Sequence, residues 1–147
     1  MVLGEAAVNE VTVLVIDDDP VIRRLVRSTL ERATNLECRV EEAVNGLHGL
    51  DRFEHLFSAG TPIVVVVDYQ LPDLSGTEVA QLILTRVPGQ PIVLFTGQVT
   101  IDLRDQAANA GVAATLSKTD IAELPNIIAT LRTAASSGGK PGRVRDN

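Results

Sequence analysis

Cysteine is nearly absent: Cys38 is the only one in 147 residues. A single thiol cannot close an internal disulfide, which excludes a disulfide-stapled scaffold and suits a reducing compartment. Cys38 has no evident catalytic partner and falls in a stretch with strand character, so it reads as a small core residue. No apolar stretch is long enough to cross a bilayer. The first residues lack the basic start and apolar run of a secretion signal. A cytoplasmic location, away from the membrane, is expected. Basic charge is also scarce: 13 Lys and Arg stand against 19 Asp and Glu, a net charge of −6. That balance argues against nucleic-acid binding through bulk charge and fits a cation site.

What is present is an ordinary globular composition, 45% hydrophobic and 22% charged. The length suits one domain with a full core. The most informative stretch is Ile63-Val64-Val65-Val66-Val67-Asp68. β-Branched residues favour an extended backbone. An apolar run without polar alternation predicts a strand covered on both faces, as in a parallel sheet between helices. Pro72, Asp73 and Gly76 mark the next loop. Ligands of open α/β sheets bind at the carboxyl ends of strands, which is where Asp68 stands.

The rest of the chain repeats strand and helix. Val11 to Ile16 predicts a strand ending in Asp17-Asp18-Asp19-Pro20. Asp19 suits an N-cap and Pro20 a first helical position. Val21, Ile22, Leu25, Val26, Thr29 and Leu30 recur at helical spacing, with Arg23, Arg24 and Arg27 opposite. Leu36 to Ala43 predicts a second strand, and Leu47, Leu50, Phe53 and Phe57 a second helix. After the valine strand comes a helix from about Ser75 to Arg86, expected to bury Val79, Leu82 and Ile83. Pro91 to Phe95 predicts a fourth strand, ending at Thr96-Gly97. The helix from about Thr100 to Ala110 has a weak apolar stripe (Ile101, Leu103, Ala107, Ala108), which suggests a loosely held element. Val112 to Leu116 predicts a fifth strand before Ser117-Lys118-Thr119, and a last helix starts at Leu124-Pro125. Residues 1–10 read as a loose arm, 11–134 as the folded unit, and 135–147 as a flexible tail or the start of a linker.

Strand–helix alternation of this kind predicts a parallel sheet with helices on both faces. All strand ends then share one edge. A lone Asp there is usually a cap, a lone Thr a packed β-former and a lone Lys a surface residue. Together, Asp17, Asp18, Asp68, Thr96 and Lys118 make a chemically complete set. Carboxylates brought close repel one another unless a cation intervenes, and an oxygen-only donor set suits Mg²⁺. A carboxylate beside Mg²⁺ can attack phosphorus and become an acyl phosphate, with Lys118 and Thr96 placed to meet phosphoryl oxygens.

The set IDDDP, VDYQLPDLSG, FTG and SK at successive strand ends resembles the receiver domain of two-component response regulators, over about residues 11 to 134. The resemblance implies a flavodoxin-like (βα)5 doubly wound fold with strand order 2-1-3-4-5. It implies Asp68 as phosphoacceptor, Asp18 and Asp17 as Mg²⁺ carboxylates with the main-chain carbonyl of Gln70 as a further ligand, Thr96 as the switch hydroxyl and Lys118 as the phosphate-binding lysine. The implied partners are a sensor histidine kinase or phosphotransfer protein, and a downstream protein or an output domain. Beyond its own phosphorylation and dephosphorylation, no turnover enzyme is implied. Two positions depart from the family. Thr119 stands where proline usually comes after the lysine; a non-proline cis bond costs about 2.5–4 kcal/mol, so either Lys118 is aimed differently or the strain is accepted. Thr115 stands where an aromatic switch residue is frequent. Two alternatives compete: a receiver-shaped interaction module independent of phosphorylation, and a haloacid-dehalogenase-type phosphatase using Asp17 as nucleophile and Asp19 as acid/base.

Overall fold

Four consecutive valines do not alternate in polarity because both sides of their strand are covered. In the computed structural model, which describes residues 10–138, strand β3 (Ile63–Val67) sits at the centre of a five-stranded parallel sheet of order β2-β1-β3-β4-β5. The others are β1 (Val11–Ile16), β2 (Cys38–Ala43), β4 (Ile92–Thr96) and β5 (Ala114–Ser117). The helices are α1 (Pro20–Glu31), α2 (Gly46–Ser58), α3 (Gly76–Arg86), α4 (Ile101–Asn109) and α5 (Leu124–Gly138), with a 3-10 turn over Lys118–Glu123. The expected flavodoxin-like topology is the one observed.

Successive strand residues point to opposite faces, so the valine run feeds two cores. Val65 and Val67 join Leu14, Ile16 and Leu94 under α2, α3 and α4, through Phe53, Val79, Ile83, Leu103 and Ala107. Val64 and Val66 join Val13, Val15 and Phe95 under α1 and α5, through Val26, Leu30, Leu124 and Ile128. Cys38 is half-buried and packs against this second core.

Several helix stripes are narrower than their sequence suggests. In α1, Val26 and Leu30 carry the burial, whereas Val21 is 53% and Leu25 49% exposed. Val21 lies about 140° around the helix from Val26 at 100° per residue, so it cannot share the sheet-facing line. In α3, Val79, Ala80 and Ile83 are buried, but Leu82 is 51% exposed. In α2, Leu47 is exposed and Phe53 carries the contact. In α4, Leu103 and Ala107 are buried and Ile101 is 79% exposed. Arg23 and Arg27 are not simply solvated: both pair with Glu42 on β2, at 2.9 and 2.7 Å. Strands β2 and β5 each begin two residues later than expected, within the usual latitude of element ends. Of the expected arm and tail, residues 1–9 and 139–147 lie outside the described residues; α5 is helical through Gly138.

Candidate functional site

Register brings the acidic residues together. Ile16 pairs with Val67, so Asp17 and Asp68 leave neighbouring strands side by side. The ladder runs one step further at each: the Asp17 amide donates to Ala43 (3.1 Å) and the Asp68 amide to Ile16 (3.0 Å). Both side chains are buried while Asp18 is exposed, and one carboxylate oxygen from each of Asp17, Asp18 and Asp68 lies within 4.8 Å of the others.

Lys118 closes the cluster. Its Nζ lies 2.8 Å from Asp17 Oδ2 and 3.2 Å from Asp68 Oδ2. Burial pulls the ammonium down, but contact with Asp17 and Asp68 outweighs it and its pKa is raised. Burial pushes the Asp68 carboxyl up and the charge of Asp17 adds to this, against the pull of Lys118. Asp17 Oδ2 is buried and makes no directional hydrogen bond. Three carboxylates with oxygens within 4.8 Å of one another, two of them buried, form an oxygen-only donor set that fits a hard divalent cation such as Mg²⁺.

Lys118 reaches both carboxylates without a proline behind it. No peptide bond among the described residues is cis. The Ser117 hydroxyl caps the 3-10 turn, accepting from the Thr119 amide at 3.2 Å and lying 2.9 Å from the Thr119 hydroxyl. Neither half of the sequence alternative holds: the strain is not taken, and the lysine is still aimed at the carboxylates.

The other candidates divide. Thr96 is buried at the end of β4 and pairs in register with Ser117, next to Lys118. With Tyr69, Gln70 and Gln98 it lines an open polar cleft of about 650 Å³. Gln70 has an exposed side chain and bridges to Ser75. Thr115 lines a groove with Ile101, Arg104 and Ile127 between α4 and α5. Asp19 is the α1 cap, its Oδ1 accepting from the Val21 amide at 2.9 Å.

Sequence reasoning missed how firmly the loop after Asp68 is built. Ser75 and Glu78 form a capping box at α3, which the S-x-x-E spacing signals. The Gly76 amide donates to the Tyr69 carbonyl at 2.7 Å, and a Cβ at Gly76 would overlap the Asp68 carbonyl oxygen. Asp73 reaches across to α2, a contact between residues 27 apart that no local signal announces.

Fold and site together define a doubly wound α/β domain with an acidic, cation-ready edge. The response regulator receiver domain model matches residues 13–129, and the chain belongs to that family, the receivers of two-component systems. It is 32% identical over 121 residues to the response regulator protein PilR of Pseudomonas aeruginosa, covering 80% of this chain and 25% of PilR. It is 33% identical over 103 residues to the probable transcriptional regulatory protein TcrX of Mycobacterium tuberculosis, covering 69% of this chain and 40% of TcrX. A protein-glutamate methylesterase/protein-glutamine glutaminase of Maricaulis maris is 35% identical over 112 residues, covering 72% of this chain and 26% of that protein. The chain thus spans a quarter to two fifths of these relatives. Among solved structures, Vibrio cholerae CheY4 shares the fold with TM-score 0.68 at 24% identity, covering 85% of this chain and 98% of that one. A CheY-like receiver from Methanospirillum hungatei gives TM-score 0.69 at 24% identity, covering 84% and 96%.

Proposed function

We propose that this chain accepts a phosphoryl group on Asp68 from a phosphohistidine of a sensor kinase or phosphotransfer protein, and that the modification switches a protein-interaction surface. The observation that carries the reading is the Lys118 ammonium held 2.8 and 3.2 Å from Asp17 and Asp68 in a cluster of buried carboxylates. Asp17, Asp18, Asp68 and the main-chain carbonyl of Gln70 would hold Mg²⁺. Bound there, the ion neutralises charge on the transferring group. Asp68 is the nucleophile: its carboxylate oxygen attacks phosphorus and a P–O bond forms. The donor's P–N bond breaks, and the imidazole nitrogen keeps the electron pair and takes up a proton. Lys118 pairs with a phosphoryl oxygen, and the Thr96 hydroxyl donates to another. Attack by water on phosphorus later restores Asp68 and releases phosphate. The chain performs this chemistry on itself and is no turnover enzyme.

The response passes to a downstream protein or an output domain, in the cytoplasm and without direct nucleic-acid or membrane contact by this chain. The receiver unit spans 11–134, flanked by 1–10 and 135–147. Thr115, in the groove beside α4, favours one second reading, an interaction module independent of phosphorylation. Asp19, engaged as a helix cap, does not favour a dehalogenase-type acid/base.

The test is intact-protein mass after incubation with Mg²⁺ and acetyl phosphate. Wild type gains one phosphoryl mass and Asp68→Asn gains none. Labelling of Asp68→Asn defeats the assignment. Equal affinity for a captured partner with and without phosphate favours the module.

A further inference from the structure

The loop that carries the acceptor's neighbours is tied down at three levels. At its base, the Gly76 amide donates to the Tyr69 carbonyl at 2.7 Å. At its waist, Gln70 bridges Ser75. At its tip, the Asp73 side chain bridges the loop to α2. Its Oδ1 accepts from the amides of Gly46 (2.8 Å) and Leu74 (2.9 Å), and its Oδ2 accepts from the Leu47 amide (2.9 Å). Gly46 and Leu47 open α2, whose own cap, Asn45, takes the next amide, His48. The first amides of a helix have no partner inside it, and here Asn45 covers one while a carboxylate from another loop covers two. The fit is close: a Cβ at Gly46 would approach Leu74 Cδ1 to 3.0 Å and Asp73 Oδ1 to 3.1 Å. The same amides, Leu47 first, hold the Asp73 carboxyl below the usual carboxylate range, so it is charged at neutral pH against the positive end of the α2 dipole.

We infer that Asp73 is a positioning residue for the metal and phosphoryl site: by locking the loop tip to α2 it fixes where the Gln70 carbonyl and Asp68 point. This deepens the receiver reading and rests on it. A cap that served α2 alone would need no link to the acceptor loop. Here the two elements that flank the acidic edge on this side are joined by one side chain. Without it, residues 71–74 keep the base, the waist and the packing of Leu71 and Leu74 against the core, but lose the polar anchor of the tip, and the Gln70 carbonyl gains freedom that must be lost again on binding.

The chain supplies its own reporter, because Tyr69 is the only tyrosine and there is no tryptophan. Mg²⁺ is titrated by Tyr69 fluorescence into wild type, Asp73→Ala and Asp73→Asn, and acetyl phosphate labelling is timed at sub-saturating Mg²⁺. Asp73→Ala is expected to bind Mg²⁺ at least about fivefold more weakly, to label correspondingly slower, and to exchange the Gly46, Leu47 and Leu74 amides faster. Asp73→Asn, which keeps one acceptor oxygen, falls between. A lowered melting temperature with Mg²⁺ affinity and labelling rate within about twofold of wild type makes Asp73 a helix cap and nothing more. If Asp73→Ala does not fold, Asp73→Asn is judged by the same two readouts. Wild type that neither binds Mg²⁺ nor labels overturns the receiver reading, and the inference with it.

Discussion

The two strand ends that face each other across the site are built differently. At the end of β3, the loop after Asp68 is held by a capping box, a backbone bridge, a glycine pressed on the Asp68 carbonyl and the Asp73 tether to α2. Helix α3 beyond it buries Thr77, Val79, Ala80 and Ile83. At the end of β4, Thr96 opens onto a polar cleft, and α4 beyond it buries only Leu103 and Ala107 along nine residues. Its tie to α3 is a long hydrogen bond from Gln106 Nε2 to Thr77 Oγ1, at 3.4 Å. The contrast fits the two tasks proposed above for Asp68 and for the surface it would switch. An acceptor gains from preorganisation; a responding element must have a second arrangement within a few kcal/mol.

Gly76 is where the rigid end breaks most easily. Gly76→Ala places a methyl on the Asp68 carbonyl oxygen, and that neighbour is backbone that cannot rotate away. Overpacking of this kind costs about 1–3 kcal/mol, and the upper end is expected here. Urea unfolding should show a loss of about 3 kcal/mol, together with loss of acetyl phosphate labelling. A stable variant that still labels would mean the β3 end is as tolerant as the β4 end, and the contrast would fail.

Leu103→Ala tests the other end. It removes one of the two side chains that anchor α4. Large-to-small core changes cost about 2–5 kcal/mol; Leu103 is shallowly buried, so about 2 kcal/mol is expected. Hydrogen exchange should accelerate across Ile101–Asn109 and leave Gly76–Arg86 protected, because stability is lost locally where contacts are few. Acceleration spread evenly over both helices would show that α4 is not a separate, looser unit.

How far each device was legible in the sequence depends on how local it is. The parallel sheet, the two-faced burial of the valine run and the acidic edge were readable because they rest on apolar runs and on the polar residues that end them; the strand order came only with the resemblance to receiver domains. The α4 weakness was readable too, since Ile101, Leu103, Ala107 and Ala108 make a thin stripe. Stripe edges were not: Val21, Leu25 and Leu82 have the residue type of a core but the wrong angle on the helix. Asp73 was legible only as a loop residue, because its two partners on α2 sit 26 and 27 positions away and meet it only in the folded chain. How the chain turns after Lys118 was not legible for a related reason. The Ser117 cap that shapes its turn is a short hydroxyl contact, which a family pattern built on proline does not suggest.

The neighbouring β1 end, where Asp17 leaves the sheet, has a tether of its own, and it is the smallest effect of the set. Arg23 donates through Nη1 to the Asp17 main-chain carbonyl at 2.7 Å and through Nε to Glu42 Oε1 at 2.9 Å, and Arg27 donates to the other Glu42 oxygen. Glu42 thereby aims an arginine at the backbone of the first site aspartate. Partial burial pushes the Glu42 carboxyl up, but Arg27 and Arg23 outweigh it, so its folded pKa lies below the ordinary value. A depressed carboxylate contributes stability that is complete above the unfolded pKa and is lost as pH falls through the folded one. The pair is partly exposed, so its contribution is about 1 kcal/mol or less. Glu42→Gln should therefore be less stable than wild type by about that amount at pH 7. The urea midpoints should converge as pH falls below the usual glutamate range, and raised salt should narrow the gap at neutral pH. A gap that persists unchanged into acid would mean that Glu42 acts through packing on β2, leaving Asp73 and the capping box as the anchors of the acidic edge.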